Sequence, residues 1–131
     1  MNQEPTPAGE PTPAEIAAAP PDVLTLMLFQ GAVRFGRQAQ SALAAGDAPA
    51  GAHLVARVRA IVEQLEASLN PEAGPISGHL AAIYAYLKRR LALAAADPSA
   101  LEEVVGDLEE LGRTWEAVVR SREASGTLAG A

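Results

Sequence analysis

Pro20-Pro21-Asp22-Val23-Leu24-Thr25-Leu26-Met27-Leu28-Phe29-Gln30-Gly31-Ala32-Val33-Arg34-Phe35 is the stretch that decides the fold. Its two prolines and Asp22 mark a helix start. Proline has no N–H to lose in the first turn, and a carboxylate is favoured beside the positive end of the helix dipole. Leu24, Met27, Leu28, Gly31, Phe35 and Ala42 recur at helical spacing and predict one buried face, and Gly46-Asp47 predicts the stop. Apolar residues also occupy the other side: Leu26, Phe29 and Val33 lie three and four apart. Burial of this helix on most sides within its own core is one reading. A four-helix bundle has no central helix, however, so a second apolar face calls for another cover: a partner, a dimer mate or a folded-back tail.

Three further helices follow. The second is expected from about Ala48 to Leu69, with a stripe of Leu54, Val58, Ile61, Val62, Leu65 and Leu69; Asn70-Pro71 and Gly74-Pro75 break it. The third runs from about Ile76 to Ala96, with Leu80, Ile83, Tyr84, Leu87 and Leu91 as its stripe. Ala82, Tyr86 and Leu93 lie off that stripe with Arg89 beside them, and tyrosine and arginine are enriched at interface hot spots. The fourth opens at Asp97-Pro98, an N-cap residue followed by proline. Its stripe is Leu101, Val104, Val105, Leu108, Leu111, Trp115, Val118 and Val119, with Glu103, Asp107, Glu110 and Arg113 outward. Short connections between such helices predict an all-α, antiparallel four-helix bundle over residues 20–120. Residues 1–19, rich in proline, and 121–131 are expected to be disordered tails.

Composition narrows the function. The net charge is -6, which opposes binding to nucleic acid or to an anionic membrane surface. No cysteine is present, and no apolar run is long enough to span a bilayer. The N-terminus lacks the basic start and apolar stretch of a signal peptide, so the expected location is cytoplasmic.

Catalytic chemistry has no foothold. His53 and His79 are far apart and neither follows a Glu at helical metal-site spacing. No His-Glu-x-x-His or phosphate-loop motif occurs. A helical-bundle enzyme of the chorismate mutase kind would need basic residues inside the core, and the four stripes hold none. No catalytic residue, metal ligand or cofactor is expected. The sequence points instead to a protein-binding surface formed by Leu26, Phe29, Val33, Tyr86 and Arg89. If the first and third helices are neighbours, these back faces form one groove for an amphipathic helix or extended peptide.

The run from Ala19 to Phe35 also resembles the opening helix of the flagellar secretion chaperone FliS family. Gly46-Asp47 resembles that family's first turn, and Ile61-Val62-Glu63-Gln64-Leu65 and Ser68-Leu69-Asn70 its second helix. Leu80 with Ile83-Tyr84-Ala85-Tyr86-Leu87-Lys88-Arg89-Arg90-Leu91 is similar to its third, and Asp97 to Val104 with Leu111 to Trp115 to its last. The resemblance covers about residues 19–120. It implies a chaperone that binds the C-terminal segment of flagellin, prevents premature polymerisation and delivers it to the flagellar export apparatus. It further implies that Met27, Leu28, Gly31, Tyr84 and Arg90 hold the scaffold. The tail departs from the family in lacking a tyrosine, and Phe29-Gln30 stands where the family has Tyr-Asp. A homodimer that buries the same back faces, with a different client or none, is the alternative.

Overall fold

The computed structural model describes residues 12–14 and 19–129. Among them are four long helices and no strand: α1, Pro21–Ala44; α2, Ala48–Ala67; α3, Pro75–Leu91; and α4, Pro98–Ala129, with a single 3-10 turn, Pro71–Ala73, ahead of α3. Residues 1–11 and 15–18 of the expected N-terminal tail, and the last two residues of the chain, lie outside the described residues.

Local chemistry sets the helix ends. Pro21, Pro49, Pro75 and Pro98 each fall in the first turn of a helix, where a missing N–H costs nothing. Gly46 reverses the chain after α1 with φ 80, a left-handed value that glycine adopts without a Cβ penalty. The Asp47 carboxylate then accepts from the Ala50 N–H at 3.2 Å and caps α2. The Asp97 carboxylate accepts from the Ser99 N–H at 3.0 Å and from its hydroxyl at 2.6 Å, starting α4. Lys88, Arg89 and Arg90 complete the last turn of α3, where cations offset the negative end of the dipole.

Packing runs α1 against α2 and α4, α2 against α3, and α3 against α4. The core is aliphatic: Val58, Val62 and Leu65 from α2, Leu80, Leu87 and Leu91 from α3, and Leu101, Val104, Val105 and Leu108 from α4. The inward line of α1 is Phe29, Ala32, Gly36 and Ala39. Three of these four are small, so α1 lies very close to its neighbours. A Cβ at Gly36 would sit 2.6 Å from Val105 Cγ2. Phe29 is fully buried and crosses the core: its ring centroid is 6.5 Å from that of Tyr84 on α3 and 6.1 Å from that of Trp115 on α4.

Three expectations are corrected here. Phe29, read as part of an uncovered back face, is at the centre of the core, while Leu24, Met27, Leu28 and Phe35 of the supposed inner stripe are only partly covered. The α-helical part of α3 ends at Leu91, and residues 93, 94 and 96 tighten into bonds such as Leu93 N–H to Arg90 O at 3.0 Å. Residues 121–129, expected as a tail, continue α4. No apolar periodicity extends past Val119, so no helical signal is legible there. Polar contacts accompany that extension: Arg120 pairs with Glu116 at 3.1 Å, Arg122 pairs with Asp22, and the Trp115 indole donates to the Asp22 carbonyl at 3.1 Å.

Phe29→Ala is expected to cost about 3–5 kcal/mol, the usual range for emptying an aromatic site in a core. Gly36→Ala is expected to cost about 1–3 kcal/mol through overpacking against Val105. Thermal or urea unfolding checks both. A Phe29→Asp chain should lose helicity by circular dichroism rather than report on a surface contact.

Candidate protein-binding site

Close approach of α1 through its small residues leaves its larger ones at the margin. Leu24, Met27, Leu28 and Phe35 of α1 face Ala60, Ile61 and Gln64 of α2 across an open groove of ≈ 530 Å³. Gly31 forms part of its floor: a Cβ there would stand 3.7 Å from Ile61 Cδ1 and 3.5 Å from a guanidinium nitrogen of Arg34. The Arg34 head group thus lies back over the space that a side chain at 31 would fill. Arg57 of α2 covers Phe35, its guanidinium carbon 4.5 Å from the ring centroid. A cation over an aromatic face at that distance is held by the ring quadrupole. Among the described residues no carboxylate lines this groove.

Two other grooves differ in charge. One, of ≈ 390 Å³ between α1 and α4, is lined by Phe29 and Val33 together with Glu109, Arg113 and Glu116, and Arg34 borders it as well as the α1–α2 groove. Arg37 pairs with Glu109 beside it. The other, of ≈ 510 Å³ between α3 and α4, is formed by Ile83, Tyr86 and Leu111 with Asp107 and Glu110.

The residues singled out from sequence are therefore dispersed. Phe29 is in the core, Leu26 and Val33 are half-buried on α1, and Tyr86 is 38% exposed on α3 with Arg89 over its ring at 5.8 Å. Val33 and Tyr86 open onto different grooves, so α1 and α3 do not form a shared one. The α1–α2 groove was missed as a site because Leu24, Met27, Leu28 and Phe35 were assigned to the core. The available signal was the small-residue line Ala32, Gly36 and Ala39, which marks the side of closest packing.

Glu103, expected to be a solvated outer residue, is at the centre of a network. It accepts from the Tyr86 hydroxyl at 2.6 Å and from Arg90 Nε at 2.7 Å. The Tyr86 hydrogen bond, reinforced by Arg90, holds the Glu103 carboxyl below the usual carboxylate range. The same hydrogen bond raises the Tyr86 phenol. Asp107, one turn on, is raised by desolvation and by the nearby Glu103 and Glu110 charges. Burial pushes the Tyr84 phenol up to about 12, consistent with a core role. Across the protein, the Arg122 guanidinium on Asp22 lowers that carboxyl. These contacts tie α3 and α4 together, and α4 to the start of α1. None of them assembles a nucleophile with a base, and among the described residues no group of His, Asp or Glu could hold a metal ion.

Four packed helices with open apolar grooves between them define a helical fold whose grooves are candidate protein-binding surfaces. This chain belongs to the FliS family: the family model for flagellar protein FliS matches residues 8–122. One relative, the flagellar secretion chaperone FliS of Bacillus subtilis (strain 168), is 30% identical over 120 residues, covering 87% of this chain and 90% of its own length. The family is one of chaperones and not of enzymes. No helix among the described residues is long and apolar enough to cross a membrane.

The network gives an acid-side prediction. Glu103 titrates lower in the folded chain than in the unfolded one, so its contribution is complete above its ordinary value of 4.5 and is lost as pH falls through the depressed value. Glu103→Gln is expected to lower the Tm at neutral pH and to flatten its fall below about pH 4.5. Coincident Tm profiles for the two proteins would show that the network contributes nothing.

Proposed function

We propose that this protein is a cytoplasmic flagellar export chaperone. It holds the C-terminal segment of flagellin, prevents premature polymerisation and delivers the subunit to the export apparatus. The observation that carries the reading is the α1–α2 groove, whose large apolar side chains the protein's own packing leaves partly uncovered. Family membership supplies the biological setting, and the Bacillus subtilis relative is itself a flagellar secretion chaperone.

The groove fits an amphipathic client. In our reading the helices form an antiparallel bundle. Supporting this, Gly31 stands opposite Ile61, Phe35 opposite Arg57, and Gly51 against Leu43, a sequence of pairings that advances along α1 as it retreats along α2. Such a pair presents a long channel into which a client helix lays its apolar stripe. Leu24, Met27, Leu28, Phe35 and Ile61 would make the main contacts. Tyr86 and Arg89 would offer a second docking point, with Leu26 and Val33 at the margins of α1. Phe29 would act from inside, by setting how α1 sits. Covering the sticky segment of an export substrate with a preformed surface needs no chemistry, which accords with a chaperone family.

Leu24 and Met27 are the best positions to test, because neither belongs to the core cluster or packs against it. Calorimetric titration of the flagellin C-terminal segment into the full chain should give a stoichiometric complex. Met27→Glu and Leu24→Glu should weaken it by roughly tenfold or more each, as expected of interface anchors, with an unchanged far-ultraviolet spectrum. Wild-type binding with no loss in either variant would move the site elsewhere. No wild-type binding would remove the flagellin assignment.

A further inference from the structure

The cations of this chain are distributed unevenly. Arg37, Arg59, Lys88, Arg90, Arg113, Arg120 and Arg122 each pair with a carboxylate. The remaining three, Arg34, Arg57 and Arg89, pair with none among the described residues, although acidic residues outnumber basic ones by 16 to 10. Arg89 stands over Tyr86, away from the α1–α2 groove. Arg34 and Arg57 both line that groove.

We propose that the client helix seated in the α1–α2 groove carries acidic side chains one helical turn apart at the edge of its apolar stripe, and that Arg34 and Arg57 receive them. This rests on the chaperone reading and adds the client's chemistry to it. Two guanidiniums in a groove without carboxylates, on a protein of net charge -6, are a local inversion of sign. The α1–α4 groove, which Arg34 also borders, sets Glu109 and Glu116 against Arg34 and Arg113, and the α3–α4 groove has Asp107 and Glu110 with no cation among the described residues, so neither offers an acidic segment the uncompensated positive charge of the α1–α2 groove.

The spacing matches. The Arg34 head lies over Gly31 and the Arg57 head over Phe35, positions four residues apart on α1, or about 6 Å along the axis. Acidic side chains at i and i+4, or i and i+3, on a docked helix stand about as far apart. A guanidinium offers a planar fork that a carboxylate meets with two parallel hydrogen bonds, a geometry that lysine lacks. The apolar floor fixes where the client lies, and the two cations fix its register and direction.

The test uses the full chain and two probes. The first is the flagellin C-terminal segment, with its Asp and Glu either intact or changed to Asn and Gln. Arg34→Gln and Arg57→Gln are each expected to weaken binding of the intact segment roughly fivefold. The double variant should lose most of the salt dependence of binding, and the neutralised segment should bind wild type and double variant alike. Undiminished affinity in the double variant would overturn the proposal. So would an arginine effect that persists with the neutralised segment, because that loss is packing alone. An effect that follows amidation of the segment's C-terminus, or Glu4→Gln, Glu10→Gln and Glu15→Gln in this chain, would also overturn it. The second probe is a synthetic amphipathic helix with a leucine stripe and two flanking Glu one turn apart, compared with its Gln twin. If flagellin fails to bind at all, the chaperone reading fails. An arginine-dependent preference for the Glu peptide would still support the inference, and equal or absent binding of the twins would overturn it.

Discussion

The structure depends on how closely α1 can approach α2 and α4. Ala32, Gly36 and Ala39 present almost no side chain on the inner line of that helix, and Gly36 has Val105 so near that a single added carbon would collide. Dispersion and burial reward this approach, because interiors pack at crystal-like density and a gap forfeits contacts on both sides. Phe29 is the one large side chain on the line. It fills the space between Tyr84 and Trp115, so three of the four helices meet on one aromatic ring. Once small residues face inward, the large apolar residues of α1 must lie toward the edges. The groove is thus a geometric consequence of the core.

That inversion explains what was and was not legible in the sequence. Helix order, the Gly46-Asp47 reversal, the capped start at Asp97-Pro98 and the inner faces of α2 and α3 followed from periodicity and turn chemistry, which are local. The face of α1 did not. Leu24, Met27, Leu28 and Phe35 outweigh Ala32, Gly36 and Ala39 on any hydrophobic scale, yet close packing between helices selects for smallness. Phe29 was assigned to the surface because its neighbours on the inner line carry too little apolar area to be noticed. The end of α4 was missed for a related reason: the contacts around residues 120–122 are ion pairs, Arg120 with Glu116 and Arg122 with Asp22, which leave no apolar rhythm.

Charge completes the division of labour among the surfaces. Where α3 meets α4, Glu103 gathers Tyr86 and Arg90, and its depressed titration shows that the folded chain favours the ionised form. Where α4 meets the start of α1, Arg122 and the Trp115 indole hold Asp22. Exposed pairs of this kind contribute little individually. Their effect here is positional, because each spends a cation on internal structure. Arg34 and Arg57 are not spent in this way, and both stand where the apolar surface is open.

A chaperone for export must grip a client firmly enough to block self-association and loosely enough to surrender it. An apolar floor alone supplies the first property poorly, because hydrophobic contact is non-directional and tolerates slippage. In the proposed complex two cations at the groove would add register, through interactions that salt and water screen readily. A grip divided between area and charge can therefore be loosened by a competing acidic surface without exposing the whole apolar face at once. The same logic explains why Arg57 rests on Phe35. The ring holds the cation over the groove, which would lower the entropy lost on meeting a client carboxylate.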